Sequence, residues 1–172
     1  MNKYDTFESE RLLYKGISEQ DTDFLVRWRS NPDFYQYFRS STPITKENHL
    51  EWYKKTYLND FSRFDFILID KQSENKIGYV GVSKVNDEDN SFEISYLIGE
   101  IEFQRRGLAC ESIIKMIDIM LKEGYSTIYA EIHKENIASI KTIQKMGFKI
   151  FSNQDDFIKY VIKIDRVSYC KR

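Results

Sequence analysis

The sequence predicts an α+β fold in which helices flank a mixed, mostly antiparallel central sheet. Three strand-like segments follow one another at 64–69, 76–85 and Ser91–Ile98, and the polar turn between the last two is typical of antiparallel neighbours. A long amphipathic helix then leads to another apolar strand, and strand–helix–strand alternation is typical of a parallel crossover. The chain has 172 residues, two prolines and no repeat, so we expect one domain over residues 1–172.

The N-terminal third predicts one strand and two helices. Residues 11–15 form the strand, and Ser18 begins the first helix with Asp21 three residues on, a variant of the capping box. The first helix ends near Pro32, because the residue before a proline disfavours helical backbone. Thr45 caps the second helix. The two apolar faces consist of Phe24, Leu25 and Trp28 in the first helix, and of Leu50, Tyr53, Tyr57 and Leu58 in the second.

The C-terminal half alternates strands and helices. Every second residue from Phe92 to Ile98 is apolar, as in a half-buried strand. The following long helix repeats apolar residues at spacings of three and four, which defines one helix face: Cys110, Ile113, Ile114, Ile117, Met120 and Leu121. A strand at Thr127–His133, a short helix at 138–145 closed by Gly147, and a final strand near 157–164 complete the series.

Composition limits the classes of partner. The 26 basic and 27 acidic residues leave a net charge of -1, which gives no electrostatic reason to expect a nucleic acid or an anionic membrane. Cys110 and Cys170 lack the spacing of a metal site or a disulfide framework, and we expect Cys110 in the core. The N-terminus has no apolar signal segment, so a cytoplasmic location is expected. Whether the chain forms a homodimer remains open at this stage.

The segment Gln104-Arg105-Arg106-Gly107-Leu108-Ala109 is the most informative motif. It joins the strand Ser91–Ile98 to the long helix, so two arginines and a glycine precede a helix N-terminus. The first N–H groups of a helix lack intrahelical partners and lie at the positive end of the macrodipole, which favours a phosphate there. A solvated basic loop is the alternative interpretation.

A second motif, from Asn136-Ile137-Ala138-Ser139 to Met146-Gly147-Phe148, follows further along the chain. Together the two motifs resemble those of the GNAT superfamily of acyl-CoA-dependent N-acetyltransferases. The opening segment from Ser9 to Leu13 is similar to the branch that contains ribosomal-protein N-terminal acetyltransferases. The resemblance therefore spans nearly the whole chain.

The resemblance implies acetyl-CoA as the acyl-donor co-substrate and no metal. It places the pantetheine arm and the thioester carbonyl at the backbone of Leu97, Ile98 and Gly99. It places the pyrophosphate at the turn, where the residues concerned are Gln104, Arg105, Arg106, Gly107, Leu108 and Ala109. Asn136 and Ser139 would line the co-substrate from the other side.

Acyl transfer to an amine needs a group that removes a proton, because a free alkyl ammonium has a pKa near 10. Glu93 is the first candidate for the catalytic base, since it shares a strand with the carbonyl-binding segment. Glu131 and His133 on the next strand are alternatives. The family often carries a tyrosine as the acid that protonates the leaving thiolate, and that position is Ile143 here.

The acceptor should be recognised by the N-terminal third, where an arginine, a histidine and several aromatic residues occur together. This arrangement is similar to the N-acetyltransferases of the pseudaminic acid pathway, which act on UDP-linked amino-sugars. The resemblance implies that the substrate-binding residues are Arg29, His49, Ser83, Lys84 and Tyr96. A serine proposed as catalytic in that group falls near Gly81 in this chain.

Three functions therefore remain open. The first is acetylation of a small-molecule amine on a UDP-amino-sugar. The second is acetylation of a protein N-terminus or of a small amine such as a polyamine or an antibiotic. The third is a non-catalytic acyl-CoA-binding sensor, which the isoleucine at position 143 would suit.

Overall fold

The computed structural model describes residues 1–165, and Cys170 lies outside them. Eight strands form one sheet in the order β1-β2-β3-β4-β5-β6-β8-β7. Their bounds are Thr6–Glu8 (β1), Leu12–Gly16 (β2), Phe64–Asp70 (β3), Lys76–Asn86 (β4), Ser91–Ile98 (β5), Thr127–His133 (β6), Lys149–Gln154 (β7) and Phe157–Lys163 (β8). Only β5 and β6 pair in parallel, so the mixed, mostly antiparallel sheet is confirmed.

Within residues 1–165, five α-helices accompany the sheet. They are Thr22–Arg29 (α1), Pro32–Tyr35 (α2), Lys46–Lys55 (α3), Leu108–Glu123 (α4) and Ile137–Lys145 (α5). Thr45 accepts a hydrogen bond from Asn48 N, so the predicted cap of α3 is confirmed. The Ser18–Asp21 capping box is also present, but it caps the 3₁₀ turn Glu19–Asp21, and α1 begins at Thr22. Gly124 ends α4 at φ 111°, a left-handed conformation that glycine adopts without steric cost.

Each sheet face packs against its own helices. Side chains alternate along a strand, so Ile94 and Tyr96 of β5 join the larger core with α4, whereas Leu97 joins a smaller core with α1 and α3. We call these the α4 face and the α1 face. Residues of the smaller core include Trp28 and Tyr53.

The sheet opens between its two parallel strands. β5 and β6 pair at only three positions, from Ser91–Thr127 to Glu93–Tyr129, and the rest of β5 has no β6 partner. The C-terminal part of β5 therefore leaves a gap in the sheet beside α4, at the point where the sequence places the phosphate-binding turn.

Three features differ from the sequence prediction. β1, β7 and the short α2 were not predicted, and β7 is mostly exposed, so it carries no apolar alternation. In α3 the buried residues are His49 and Tyr53, while Leu50 is only half-buried and Tyr57 lies on a separate 3₁₀ turn.

Within residues 1–165, no helix has the length and apolarity needed to cross a membrane.

Candidate active site

A cleft of about 800 Å³ lies where β5 separates from β6. The N-terminus of α4, the N-terminus of α5 and the segment around α2 form its walls, and we call it the α4 cleft. Its lining includes Leu97 and Ile98 of β5 and Arg105 and Gly107 of the turn. Cys110 also lines the cleft and is half-buried, so its expected place in the core is wrong.

The turn before α4 has the backbone of an anion-binding loop. Arg105 and Gly107 both have positive φ, 59° and 80°, which bends the chain sharply into the helix. The first intrahelical hydrogen bond of α4 runs from Glu111 N to Gly107 O, so the amides before Glu111 lie at the free positive end of the helix. Gln104 anchors the turn, because its Nε2 donates to Ile98 O at 3.0 Å.

The two arginines of the turn have different surroundings. Arg105 is exposed and lines the α4 cleft. Arg106 lies over the Phe103 ring at 5.2 Å, and its carbonyl accepts a hydrogen bond from Arg11 at 2.9 Å. Arg11 also pairs with Glu111 of α4 at 2.7 Å. Arg11 therefore ties β2 to the turn, a contact between residues far apart in sequence that sequence analysis missed.

Gly99 packs against a tryptophan. Its amide donates to Ile77 O at 2.8 Å. A Cβ built on Gly99 would lie 2.4 Å from the Trp28 ring, so any larger residue would displace that ring. This residue shapes the junction between β5 and α1 and is not part of the lining of the α4 cleft, unlike Leu97 and Ile98.

Asn136, Ser139 and Tyr96 form a connected group at the far wall of the α4 cleft. The Asn136 side chain accepts a hydrogen bond from Ser139 N at 3.1 Å and caps α5. Tyr96 donates its hydroxyl proton to Ser139 O at 3.3 Å. Burial raises the pKa of Tyr96 to about 12, so its hydroxyl remains protonated at neutral pH.

A second cavity, of about 310 Å³, lies on the α1 face, and we call it the His49 cavity. Its polar lining comes from α1, α3, β3 and the approach to β3: Arg29, His49, Arg63 and Asp65. Trp52 and Tyr79 supply aromatic walls. The structure therefore brings together two of the predicted substrate-binding residues, Arg29 and His49.

Three buried polar atoms at this cavity have no hydrogen-bond partner: Arg29 Nε, His49 Nε2 and Asp65 Oδ1. The other ring nitrogen of His49 lies 3.2 Å from Thr22 Oγ1. Burial, followed by the charge of Arg29, lowers the pKa of His49, so its ring is neutral at pH 7. Burial raises the pKa of Asp65, which is 3% exposed. Buried polar groups are normally paired, so this group of three unpaired atoms makes the cavity a candidate binding site.

The other predicted substrate contacts lie elsewhere. Lys84 is exposed and pairs with Glu93 at 2.8 Å, and neither Ser83 nor Lys84 lines the His49 cavity. Tyr96 lines the α4 cleft on the opposite sheet face. Strand alternation separates Tyr96 from Arg29, whereas Ser83 and Lys84 lie at the bulge between Ser83 and Asn86, outside the lining of the His49 cavity.

The candidate bases all lie on the α1 face, or at its edge. Glu93 is held by Lys84, and Glu131 accepts a hydrogen bond from Arg39 Nε at 2.6 Å. His133 Nδ1 accepts a hydrogen bond from Glu135 N at 3.2 Å. Glu93 is the last residue of β5 that pairs with β6, and its partner is Tyr129. It therefore lies directly beside the gap in the sheet.

Over residues 1–165, no cluster of three or more histidine, cysteine or acidic residues has a geometry that could hold a metal ion.

Comparison with known proteins identifies the family. Residues 11–149 match the family described as acetyltransferase (GNAT) domain. A protein of Methanocaldococcus jannaschii is 30% identical over 145 residues, which are 83% of this chain and 29% of that protein. The acetyltransferase PseH of Campylobacter jejuni is 24% identical over 150 residues, 87% of this chain and 90% of PseH.

Solved structures agree on the fold. The spermidine N-acetyltransferase of Vibrio cholerae, in complex with CoA and spermine, has a TM-score of 0.79 at 21% identity. The match covers 94% of this chain and 99% of that chain. The family match extends over most of the sequence and includes both motifs that form the α4 cleft. The chain therefore belongs to the GNAT family and is an acetyltransferase that acts on amines.

Proposed function

We propose that the chain transfers an acetyl group from acetyl-CoA to the primary amine of a nucleotide-linked amino-sugar. One observation carries the choice of acceptor. Arg29 is half-buried at the His49 cavity, its Nε has no partner, and within residues 1–165 it forms no ion pair. A buried guanidinium without a carboxylate favours an anionic ligand, and the aromatic wall of Trp52 suits a nucleotide base.

The α4 cleft suits acetyl-CoA. Gly107 and the first amides of α4 would hold the pyrophosphate with help from Arg105. Leu97 and Ile98 would lie beside the pantetheine arm, because β5 has left β6 at that point. Bound acetyl-CoA supplies a thioester whose acyl carbon an amine can attack.

Two side chains could handle the protons of the reaction. Glu93 lies on the α1 face, so we assign it the role of base, acting on the acceptor amine through water. Tyr96 extends from the same strand to the opposite face, and its protonated hydroxyl lies in the α4 cleft. We assign Tyr96 the role of acid that delivers a proton to the departing sulfur, a role that Ile143 cannot fill.

The charge of the His49 cavity favours the proposed acceptor over a polyamine. Arg63 and Asp65 neutralise each other at 2.7 Å, so Arg29 leaves the cavity with a net positive charge. A polycation such as spermine would be repelled there.

The test combines turnover with ligand-induced stabilisation. Purified protein with acetyl-CoA is offered UDP-amino-sugars, peptides with free N-termini and spermidine, while released thiol is measured. We expect turnover of a UDP-amino-sugar, and a melting temperature that UDP raises in the wild type but not in Arg29→Ala.

Arg27→Ala is the matched control, since Arg27 is an exposed arginine of the same helix that pairs with Glu100. It should keep the UDP effect. Turnover of spermidine or a peptide, combined with indifference to UDP, would overturn the proposal.

A further inference from the structure

Asp65 brings a carboxylate oxygen to the His49 cavity, whose net charge is positive because of Arg29. Its Oδ2 accepts a hydrogen bond from Arg63 Nε at 2.7 Å, whereas its Oδ1 is buried without a partner. An unpaired carboxylate oxygen that is almost fully buried is costly. The cavity therefore offers a ligand one unpaired donor on Arg29 and one unpaired acceptor on Asp65.

Gly81 makes room for this oxygen. Asp65, Gly81 and Ser95 are directly paired neighbours on β3, β4 and β5. A Cβ built on Gly81 would lie 2.0 Å from Asp65 Oδ1 and 3.0 Å from Ser95 Oγ. Only a residue without a side chain fits there, and both oxygens face the same point.

This row runs from the His49 cavity to the strand that borders the gap in the sheet. Ser95 lies two residues beyond Glu93, in the part of β5 that has no β6 partner. Side chains of alternate residues share a face, so Glu93 and Ser95 both project from the α1 face. An acceptor that lies along the row has one end at Arg29 and the other near the candidate base.

We propose that Asp65, whose Oδ1 is seated over Gly81, forms a subsite that selects acceptors with a hydroxyl group next to the reacting amine. Asp65 Oδ1 accepts the hydrogen bond of that hydroxyl, and Gly81 lets this oxygen keep its position. The vicinal amino alcohol is the arrangement that an amino-sugar offers. The inference rests on the proposed acetyltransfer to an amine and extends it to the specificity of the acceptor end.

Asp65→Asn reverses the hydrogen-bonding character of the subsite. Arg63 Nε can bond only to the amide oxygen, so the amide NH₂ would take the place of Oδ1 and present a donor to the ligand hydroxyl. A hydrogen bond to a charged group contributes about 1.5–3 kcal/mol, so selectivity should fall by roughly tenfold or more. Gly81→Ala should have a similar effect, because its methyl group would push Asp65 Oδ1 out of position.

The experiment uses two probes that lack any phosphate: trans-2-aminocyclohexanol and cyclohexylamine. The ratio of their kcat/KM values with acetyl-CoA isolates the contribution of the hydroxyl group. We expect wild-type protein to favour the amino alcohol by at least about tenfold, Asp65→Asn to lose the preference, and Arg29→Ala to retain it. Asp70→Asn is the control, since Asp70 ends the same strand and bonds to Ser73.

A melting temperature that acetyl-CoA still raises shows that each variant is folded. Equal kcat/KM for both probes in the wild type, an unchanged preference in Asp65→Asn, or turnover of neither probe overturns the inference. If UDP has no effect but Asp65→Asn abolishes the preference, the nucleotide part of the proposed function fails and the hydroxyl subsite stands.

Discussion

Tyr96 and Leu97 are neighbours on β5, and their side chains lie on opposite faces of the sheet. Tyr96 packs with the larger core and reaches Ser139, whereas Leu97 packs with the smaller core beside α1. A single residue step therefore separates a proton donor in the α4 cleft from the face that carries Glu93 and the His49 cavity. One strand can therefore supply the candidate base, Glu93, on one side of the reacting bond and the candidate acid, Tyr96, on the other.

Tyr96→Phe removes the hydroxyl without changing the shape of the ring. Because general acids typically contribute about 100-fold or more, we expect kcat to fall by about that factor while acetyl-CoA affinity changes little. Steady-state kinetics together with acetyl-CoA titration measure both quantities. Tyr125→Phe, which removes a hydroxyl bonded to Asp87, is the control. An unchanged kcat would assign the proton to water.

Ile143 is fully buried, and this changes what can be expected of Ile143→Tyr. Adding a ring to a packed core position typically costs about 1–3 kcal/mol. The larger residue would disturb the core before its hydroxyl could assist the reaction. Tyr96 is therefore the more informative position for testing the acid.

Glu93→Gln removes the candidate base and keeps the side-chain volume. Turnover at neutral pH should fall by about 100-fold with acetyl-CoA affinity nearly intact, because the loss affects proton removal and not binding. Released thiol over a range of acceptor concentrations gives the rate. Glu131→Gln serves as the comparison, and a larger loss in that variant would transfer the role to β6.

At the scale of elements, the decisive unit is the junction of β5, the turn and α4. Gln104 ties the turn to β5, Arg11 ties it to β2, and positive φ at Arg105 and Gly107 sets its path. These contacts hold the amides of the helix start in place before any ligand arrives. A preorganised loop loses little conformational entropy on binding.

Arg105→Glu tests this junction. Reversing the charge at the cleft should reduce the rise in melting temperature that acetyl-CoA causes and leave the unliganded melting temperature nearly unchanged, since Arg105 is exposed. Lys115→Glu makes the same charge reversal on α4 away from the cleft and should have no such effect. An equal response in both variants would point to net charge and not to a local site.

At the scale of the whole molecule, His49 links the stability of the fold to pH. The folded protein holds His49 neutral between α1 and α3, with a pKa below the usual value of about 6.5. As the pH falls below 6.5, the unfolded chain takes up a proton that the folded chain does not, so the free energy of unfolding decreases.

Urea unfolding at pH 7.5 and pH 5.5 measures this effect. The free energy of unfolding should decrease more for the wild type than for His49→Gln, because other titrating groups, including Asp65, are common to both proteins. Equal decreases would mean that His49 is not held neutral.

The sequence alone was sufficient for the fold class and for the α4 cleft. The turn from Gln104 to Ala109 lies between a strand and a helix with clear periodicities, so its position depends on neighbours in sequence. The cap at Thr45 was predicted for the same reason, and the structure confirms it.

Only the tertiary structure decided the composition of the His49 cavity. Arg29, His49 and Asp65 come from α1, α3 and β3, and no local pattern relates them. It also separated Tyr96 from Arg29, because the side-chain period of a strand assigns neighbours to opposite faces. Pairing between β3 and β4 set Gly81 beside Asp65, since the register of two strands is not encoded in sequence spacing.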